Sequence, residues 1–182
     1  MINKSELVVL LNESGTPMGT AEKSVVHTAN TPLHLAFSCH IFNAKGEVLL
    51  TRRALSKKTW PGVWTNSACG HPAPGEKMID AVSRRAAEEL GLNLSEIKEV
   101  LPNFRYQATD ASGIVENEIC PVFIAWTDGD PSPSADEVCD WKWIRPDSLQ
   151  LSVQETPFVF SPWLVMQMSQ WDTAYGSDTS LA

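Results

Sequence analysis

Three histidines and two glutamates in this chain are residue types that bind divalent metal ions. His27 and His34 lie seven residues apart in HTANTPLH, and His71 follows further along the chain. Glu116 and Glu118 are two residues apart in VENEICPV, so in a β-strand both side chains face the same side. Three imidazoles and two carboxylates could form a five- or six-coordinate site for Mn²⁺, Zn²⁺ or a related ion. Taken alone, each histidine could also be an ordinary buried or exposed side chain.

A second pattern runs from Gly70 to Leu92 and combines glycines with charged residues at fixed spacing. Gly70 is followed by five residues and Glu76, then by seven residues and Arg84, and RRAAEELGL completes the pattern. It resembles the Nudix box, a loop–helix–loop in which carboxylates bind magnesium ions on a diphosphate, because hard cations prefer carboxylate oxygens. The alternative is a solvated amphipathic helix with ion pairs such as Arg84 with Glu88, but the glycines in register favour the box.

One position of this pattern departs from the Nudix box, which expects Glu directly after its Arg. Here that position is Arg85. A Nudix pyrophosphohydrolase relies on its box carboxylates for its metals and its attacking water, so a cation in this place should weaken hydrolysis. The same cation should favour holding a diphosphate intact. Arg85 and Glu89 are four residues apart, which places them on one face of a helix.

Cys69 lies directly before this pattern, in NSACGH. A cysteine beside a metal-binding loop carries a proton whose affinity depends on its surroundings, which suits it to acid–base chemistry. The alternative is a small buried apolar residue, and we expect that role for Cys39, Cys120 and Cys139. The four cysteines show no CxxC pair and no disulfide spacing, which favours a reduced, cytoplasmic protein.

The elements that must position these residues follow from hydrophobic patterns and turn residues. A helix is predicted from Lys77 to Leu90, where Gly91 ends it, and a last helix begins after Ser161 as its cap. The apolar segment 33–42 and the strand 47–53 are predicted to form a hairpin. Further strands are predicted at residues 7–11, 104–109, 116–126 and 137–144. Strands and helices mix without regular βαβ repeats, which indicates an α+β fold with helices flanking a mixed sheet.

The composition is typical of a soluble globular protein. The 182 residues, 43% hydrophobic and 20% charged, are enough for one domain with a core of its own. The net charge of −8 argues against non-specific binding to nucleic acid or to an anionic membrane. The N-terminus lacks the apolar region of a signal peptide, and no stretch approaches the roughly 20 apolar residues that span a bilayer. Nothing indicates a strong dimer interface, so we expect a monomer.

Several longer segments together resemble the type I isopentenyl diphosphate isomerases. They are LHLAFS, LLTRRALSKKTWPGVWTNSACGHP, FRYQATDASGIVENEICPVF and FSPWLVMQM, and the resemblance runs from about residue 7 to residue 171. It implies a single domain, 1–182, with a Nudix-like α/β core at about 33–171. An N-terminal strand and metal-ligand extension would occupy 1–32, and a frayed tail 173–182. The implied activity is the interconversion of isopentenyl diphosphate and dimethylallyl diphosphate, which supplies isoprenoid biosynthesis.

The resemblance also implies a role for each site residue. Cys69 and Glu118 would exchange two protons from opposite faces of the substrate, with Tyr106 assisting Glu118 and Trp163 stabilising positive charge. The substrate diphosphate would be held by Lys23, Arg53, Lys57 and Arg85. A Mg²⁺ bound with that diphosphate would be held by Glu89. One Mn²⁺ or Zn²⁺ would be held by His27, His34, His71, Glu116 and Glu118.

The chemistry explains why these residue types are needed. Protonating the terminal carbon of an unactivated double bond gives a tertiary carbocation, and removing a proton from the neighbouring CH₂ gives the allylic isomer. One acid and one base must therefore act at positioned carbons. The face of a Trp such as Trp163 would stabilise a desolvated cation by ~2 kcal/mol or more. The aromatic-rich segments around Trp60, Trp64 and Trp163 are expected to form walls that exclude water. The sequence leaves open which of Cys69 and Glu118 is the acid.

Two other functions are compatible with parts of the sequence. The box alone is compatible with a Nudix pyrophosphohydrolase that acts on a nucleotide or another diphosphate, although Arg85 argues against hydrolysis. A non-catalytic module that binds a diphosphate or a metal would need neither Cys69 nor Glu118 for chemistry.

Overall fold

Residues 6–171, which are the residues described by the computed structural model of this protein, contain two β-sheets, four α-helices and a short 3-10 helix at Pro157–Val159. The strands are β1 (Leu7–Leu11), β2 (Pro17–Glu22), β3 (His34–Leu35), β4 (Phe37–Phe42), β5 (Val48–Arg53), β6 (Trp64–Thr65), β7 (Ala68–Gly70), β8 (Ser95–Leu101), β9 (Arg105–Thr109), β10 (Val115–Ile119), β11 (Val122–Trp126) and β12 (Val138–Ile144). The helices are α1 (Lys23–Val26), α2 (Met78–Leu90), α3 (Pro146–Glu155) and α4 (Pro162–Met168). Within the described residues, none of the helices has the length and apolar character needed to cross a membrane.

The strands form one five-stranded and one seven-stranded sheet. The first sheet has the order β2-β1-β3-β10-β9, and the second has the order β12-β5-β4-β11-β8, with β6 beside β5 and β7 beside β4. Two segments of the chain pass from the first sheet to the second, one as β3 then β4 and the other as β10 then β11. These segments run parallel to each other in both sheets, so they join the sheets along a common line. This architecture confirms the predicted mixed-sheet fold with few helices.

Helix α2 packs on the second sheet and carries most of the box pattern. Its apolar face is fully buried through Ala81, Val82, Ala86 and Leu90. Gly70 lets the helix approach closely, because a Cβ there would lie 2.8 Å from Cγ of Arg85 and 3.0 Å from the Phe37 ring. The helix ends at Gly91, whose φ of 67° is the left-handed conformation that glycine adopts at low cost.

Arg84 ties the loop before α2 to the helix. Its Nε and Nη2 donate to the two carboxylate oxygens of Glu76 at 2.8 and 2.9 Å, and its Nη2 also donates to the carbonyl of His71 at 3.3 Å. A two-pronged guanidinium–carboxylate pair fixes geometry as well as contributing energy. The loop that carries His71 is therefore held in place by the helix.

Several predicted elements agree with the structure. The strand at residues 7–11 is β1, and the hairpin between 33–42 and 47–53 pairs Phe42 with Val48. The helix predicted from Lys77 begins one residue later, with Lys77 as its N-cap. The hydroxyl of Ser161 accepts from the backbone N–H of Leu164 at 3.4 Å, as expected for the cap of α4.

Other predictions were wrong or incomplete. The single strand predicted at residues 116–126 is two strands in two sheets, because the chain changes sheet at Cys120 and Pro121. Strands β2 and β8 were not predicted: both are edge strands with largely exposed side chains, so they lack an apolar pattern. Helix α3 was also not predicted, and it buries only Leu149 and Val153. The predicted frayed tail, 173–182, lies outside the described residues.

Candidate active site and metal centre

Strand pairing in the first sheet brings three of the predicted site residues into one row. Glu118 on β10 lies opposite His34 on β3 and opposite Tyr106 on β9. Glu116 lies two residues earlier on β10 and therefore faces the same side. All four side chains are buried. Buried polar groups in such a row must bind each other or a ligand, because an unpaired one is costly.

The three histidines converge on this row. His27 follows α1, His34 lies on β3, and His71 follows β7. The ligand atoms of His27, His34, His71 and Glu118 all lie within 4.8 Å of one another. Nε2 of His34 and Nε2 of His71 lie 3.4 and 3.3 Å from Oε1 of Glu118, and Oε2 of Glu116 lies 3.0 Å from Nε2 of His27. The structure thus brings four of the five residues predicted as ligands into one cluster, and Glu116 lies beside His27 at its edge.

The hydrogen bonding of this cluster fits a bound cation. Nδ1 of His34 lies 2.9 Å from the carbonyl oxygen of Pro32, which can only accept, so Nδ1 carries the hydrogen. When the His34 ring is neutral, Nε2 carries a lone pair, and this lone pair faces the Glu118 carboxylate. Within residues 6–171, Nε2 of His27, Nε2 of His34 and Oε2 of Glu116 are buried without a hydrogen-bond partner. Lone pairs that face each other repel, and one divalent cation among them would satisfy all of these atoms.

Burial and the contacts within the cluster shift the ionisation of its members. Burial acts to raise the pKa of Glu118, but the hydrogen bonds and charges of His34 and His71 hold it well below its ordinary value. Burial acts to lower the pKa of His34, and Glu118 nevertheless raises it above its ordinary value. For His71 burial prevails, and its pKa is lowered. Glu118 is therefore a carboxylate, which is the form that binds a metal.

Thr59 orients one of the two carboxylates. Its hydroxyl donates to Oε1 of Glu116 at 2.9 Å, which leaves Oε2 of Glu116 directed at His27. The backbone carbonyl of Thr59 in turn accepts from Nη2 of Arg53 at 2.9 Å and from Nε of Arg53 at 3.2 Å. A hydrogen-bonded partner of this kind fixes the direction in which a ligand carboxylate points.

Cys69 comes from the second sheet and Glu118 from the first, and both line one cavity of about 710 Å³. Cys69 lies on β7, where it pairs with Ser38 on β4. Its thiol donates to Oδ1 of Asn66 at 3.2 Å and lies 3.4 Å from Oγ of Ser38. Burial raises the pKa of Cys69 to about 11, so the group is an uncharged thiol at neutral pH.

Aromatic rings form another wall of the cavity. Trp163, almost fully buried, lies with its ring centroid 5.7 Å from that of Tyr106 and 5.4 Å from that of Trp60. Burial, followed by the charge of Glu118, raises the pKa of Tyr106 well above its ordinary value, so its hydroxyl keeps its proton. Of the aromatic-rich segments expected to form walls, Thr59, Thr65 and Trp163 line the cavity. Trp60 contacts the Trp163 ring edge to face, and Trp64 packs in a separate apolar cluster.

The four predicted diphosphate-binding cations all line the same cavity: Lys23, Arg53, Lys57 and Arg85. Arg53 has its Cζ 5.6 Å from the centroid of the Trp163 ring. Nζ of Lys23 lies 2.6 Å from a carboxylate oxygen of Glu6. The carboxylate of Glu137 forms an ion pair with Lys57 and lies 3.5 Å from Nη2 of Arg85.

Arg85 occupies the centre of this charged end of the cavity. Its guanidinium is paired with Glu89, lies 3.2 Å from Glu88 and lies 3.8 Å from Glu6. Burial acts to lower the pKa of Arg85, but Glu89, Glu137 and Glu6 raise it above its ordinary value. Burial raises the pKa of Glu89, and Arg85 opposes this effect. Because the carboxylates already neutralise the cations, a diphosphate needs a divalent cation or a displaced carboxylate to bind here.

Several residues around the site were not predicted from the sequence. Asn66 contacts Cys69 and was visible in the same short segment, but nothing in the segment indicated where its amide points. Thr59, Glu137 and Gln167 reach the site from distant parts of the chain, and Gln167 contacts a residue 129 positions away. No local pattern marks such residues, because only the tertiary fold brings them near the cavity.

The sequence of this chain is similar to a known domain family and to known proteins. The profile of the NUDIX domain matches residues 32–164. Isopentenyl-diphosphate Delta-isomerase of Clavibacter sepedonicus is 58% identical over 170 residues, which cover 92% of this chain and 88% of that protein. The protein of the same name from Escherichia coli is 56% identical over 164 residues, which cover 90% of each chain.

Solved structures show the same fold at low sequence identity. DR0079 from Deinococcus radiodurans is similar with a TM-score of 0.70 and 18% identity, covering 91% of this chain and 98% of that one. The MutT protein from Methanosarcina mazei Go1 is similar with a TM-score of 0.62 and 21% identity, covering 80% of this chain and 96% of that one. These likenesses concern the fold alone.

Proposed function

The chain belongs to the type I isopentenyl-diphosphate Delta-isomerases, which have the Nudix fold, and from this premise we propose how its residues carry the reaction. The protein interconverts isopentenyl diphosphate and dimethylallyl diphosphate and thereby supplies precursors of isoprenoids. The roles given below to individual residues are our proposal.

Cys69 and Glu118 exchange the two protons. One of the two groups gives a proton to the terminal carbon of the isopentenyl double bond, whose π electrons form the new C–H bond and leave a tertiary carbocation. The other group takes a proton from the adjacent CH₂, and the electrons of that C–H bond form the new double bond. In the reverse direction each group has the opposite role. The origin of the two groups in different sheets supports attack from opposite faces of the substrate.

Trp163 and Tyr106 serve the hydrocarbon end of the substrate. The negative face of the Trp163 ring stabilises the carbocation by ~2 kcal/mol or more when water is excluded. Tyr106 lies beside Glu118 in the sheet, and its protonated hydroxyl can donate to a proton-carrying group there. The buried rings also keep water from trapping the carbocation.

Two cation sites are part of this proposal. One Mn²⁺ or Zn²⁺ would be held by His27, His34, His71, Glu116 and Glu118. A Mg²⁺ would be held by Glu89 together with the substrate diphosphate. When bound, these ions supply positive charge that fixes the ionised carboxylates and offsets the negative charge of the diphosphate. Lys23, Arg53, Lys57 and Arg85 hold the diphosphate, which therefore serves as a handle and is not cleaved.

The observation that carries the proposal is the shared cavity, in which Cys69, Glu118 and Trp163 lie together with the cations for a diphosphate. Conversion of isopentenyl diphosphate by the protein with Mg²⁺ and Mn²⁺ can be followed by ¹H NMR. We expect Cys69→Ala and Glu118→Gln to lose at least about 1000-fold in kcat, as removal of an acid–base group does. Cys120→Ala is the control, since Cys120 is a free thiol that does not line the cavity, and it should keep its activity. Retention of activity in Cys69→Ala would contradict the proposed role.

We also propose that the protein works in the cytoplasm as a monomer of one domain. The four cysteines are free, which suits a reducing compartment. The net charge of −8 disfavours nucleic acid and anionic membranes as partners. Size-exclusion chromatography with light scattering tests the monomer, which should have a mass near 20.0 kDa.

A further inference from the structure

Asn66 lies between Cys69 and Trp163 and has no exposed surface. Its single side-chain oxygen, Oδ1, is contacted by three donors. The thiol of Cys69 lies at 3.2 Å, the indole N–H of Trp163 at 2.9 Å and the hydroxyl of Thr65 at 2.9 Å. One buried amide therefore joins a proton-exchanging group to the aromatic ring beside it.

The orientation of this amide is fixed from its other end. Nδ2 of Asn66 donates to the carbonyl of Ala68 at 2.8 Å and to the carbonyl of Cys39 at 3.2 Å. Ala68 and Cys39 pair with each other across β7 and β4, so these carbonyls belong to the sheet. Because carbonyls only accept, Nδ2 must face them and Oδ1 must face the three donors. The amide is thus a rigid part of the second sheet.

The three donors do not depend on this oxygen equally. An amide oxygen has two lone pairs, and the indole N–H of Trp163 is a donor only, so it occupies one of them. The hydroxyl of Thr65 has a second partner, Oγ of Ser161 at 2.8 Å. The sulfur of Cys69 has a second neighbour, Oγ of Ser38 at 3.4 Å. The remaining lone pair is shared between Thr65 and Cys69.

Ser38 holds the sulfur from a second direction. Its Oγ accepts from Nε2 of Gln167 at 2.9 Å, so its own hydrogen remains available to the sulfur of Cys69. The sulfur accordingly lies between the acceptor on Asn66 and the hydroxyl of Ser38, which also lies 3.5 Å from the sulfur of Cys120. A fully partnered buried network of this kind restricts its members to one geometry.

We propose that Asn66 is a positioning residue, whose amide oxygen fixes the sulfur of Cys69 and the indole of Trp163 relative to each other. This inference rests on the roles proposed above for those two residues. The sulfur and the ring must meet the same small carbon skeleton, and a misplacement of ~1 Å in such a site costs about 100-fold in rate. Within residues 6–171, no hydrogen bond joins Asn66 to the four cations proposed for the diphosphate, so we expect diphosphate binding to be kept.

The kinetic test is the Asn66→Ala variant of the metal-loaded protein. We expect kcat to fall about 100-fold while KM stays within about threefold, because alignment is lost and diphosphate binding is kept. The matched control is Ser67→Ala. It removes two other buried hydrogen bonds, from Ile41 N–H and to the Leu49 carbonyl, both 2.7 Å long, and touches neither reacting group. Its melting temperature should fall, but its kcat should stay within about threefold of wild type.

The spectroscopic test leaves Asn66 in place. In ¹H–¹⁵N spectra of the zinc-loaded protein, the indole N–H of Trp163 is assigned with Trp163→Phe. Removing the competing thiol by Cys69→Ala should strengthen the indole hydrogen bond and move this peak downfield. Cys120→Ala is the control, because Cys120 contacts Ser38 at 3.5 Å and is not a donor to Asn66. That variant should leave the Trp163 peak in place.

The inference stands only if both tests agree with it. It is overturned if Asn66→Ala and Ser67→Ala have kcat values within about threefold of each other, or if Cys69→Ala leaves the Trp163 peak unmoved. If Asn66→Ala does not fold, the position of the Trp163 indole peak in Cys69→Ala alone decides whether the inference holds. Failure of the residue roles themselves has a different signature, namely full activity of Cys69→Ala in the conversion assay.

Discussion

Removing the charge of Glu137 should tighten binding of the substrate diphosphate. Burial acts to raise the pKa of Glu137, but Lys57 and Arg85 lower it below its ordinary value, so the group is a carboxylate at neutral pH. It forms an ion pair with Lys57 and lies 3.5 Å from Nη2 of Arg85. It therefore neutralises two of the cations that we propose for the diphosphate. Glu137→Gln keeps the shape of the side chain and removes this competition.

The size of the effect follows from the geometry. At 3.5 Å and an effective dielectric constant of about 20, one pair of charges interacts by about 5 kcal/mol. Only a fraction of this energy changes the affinity for the substrate, because the Glu137 side chain is 24% exposed and both Glu89 and Glu6 remain near Arg85. We expect about 1.4 kcal/mol, which is a tenfold lower KM at saturating Mg²⁺ with kcat little changed.

Initial rates of isopentenyl diphosphate conversion over a range of substrate concentrations measure this change. Glu88→Gln is the graded control, because Glu88 lies 3.2 Å from Arg85 but its side chain is 47% exposed, so water screens it. Its KM should stay within about threefold of wild type. An unchanged or higher KM in Glu137→Gln would refute the view that this carboxylate competes with the diphosphate.

Three further predictions concern the metal site, acid stability and the approach of α2. Thr59→Val should weaken metal binding by about 10- to 100-fold, because Glu116 loses the hydroxyl that orients it, and competition with a chelator measures this. Burial lowers the pKa of His40 to about 4 from an ordinary 6.5, so the stability that the neutral side chain provides is present above pH 6.5. It is lost as the pH falls toward 4, by about 3 kcal/mol relative to a His40→Gln variant in urea unfolding. Gly70→Ala should lower stability by about 1–3 kcal/mol, because its Cβ would lie 2.8 Å from Cγ of Arg85, and the melting temperature shows this.

Each of these predictions has an outcome that contradicts it. An unchanged metal affinity in Thr59→Val would show that Glu116 is oriented without the hydroxyl. Parallel pH profiles of wild type and His40→Gln between pH 4 and 6.5 would show that His40 does not carry the acid sensitivity. A melting temperature unaltered by Gly70→Ala would show that α2 can move away at no cost.

The part of the site that could be predicted from the sequence is the part set by local patterns. Within the box, the spacing of Glu76, Arg84, Glu88 and Glu89 is set by one loop and one helix, so residue positions convert directly into geometry. The actual pairs between Arg84 and Glu76 and between Arg85 and Glu89 agree with that spacing. Gly91 likewise ends the helix where a residue of positive φ is needed.

The features that could not be predicted from the sequence depend on contacts between distant segments of the chain. The row of His34, Glu118 and Tyr106 depends on the register of three strands, and only the resemblance to the isomerases indicated that these residues meet. Pro121 marks the change of sheet, because proline cannot donate to a strand ladder, but the segment around it was predicted as one strand. The contact of Gln167 with Ser38 likewise exists only because α4 packs on the second sheet.

Isomerisation in D₂O tests the central claim most directly, since that claim is an exchange of two protons between Cys69, Glu118 and the hydrocarbon. The metal-loaded protein should convert isopentenyl diphosphate into dimethylallyl diphosphate that carries deuterium in a methyl group, with no release of phosphate. The variants Cys69→Ala and Glu118→Gln should give no labelled product. Phosphate release by the wild type, or labelled product from either variant, would contradict the account.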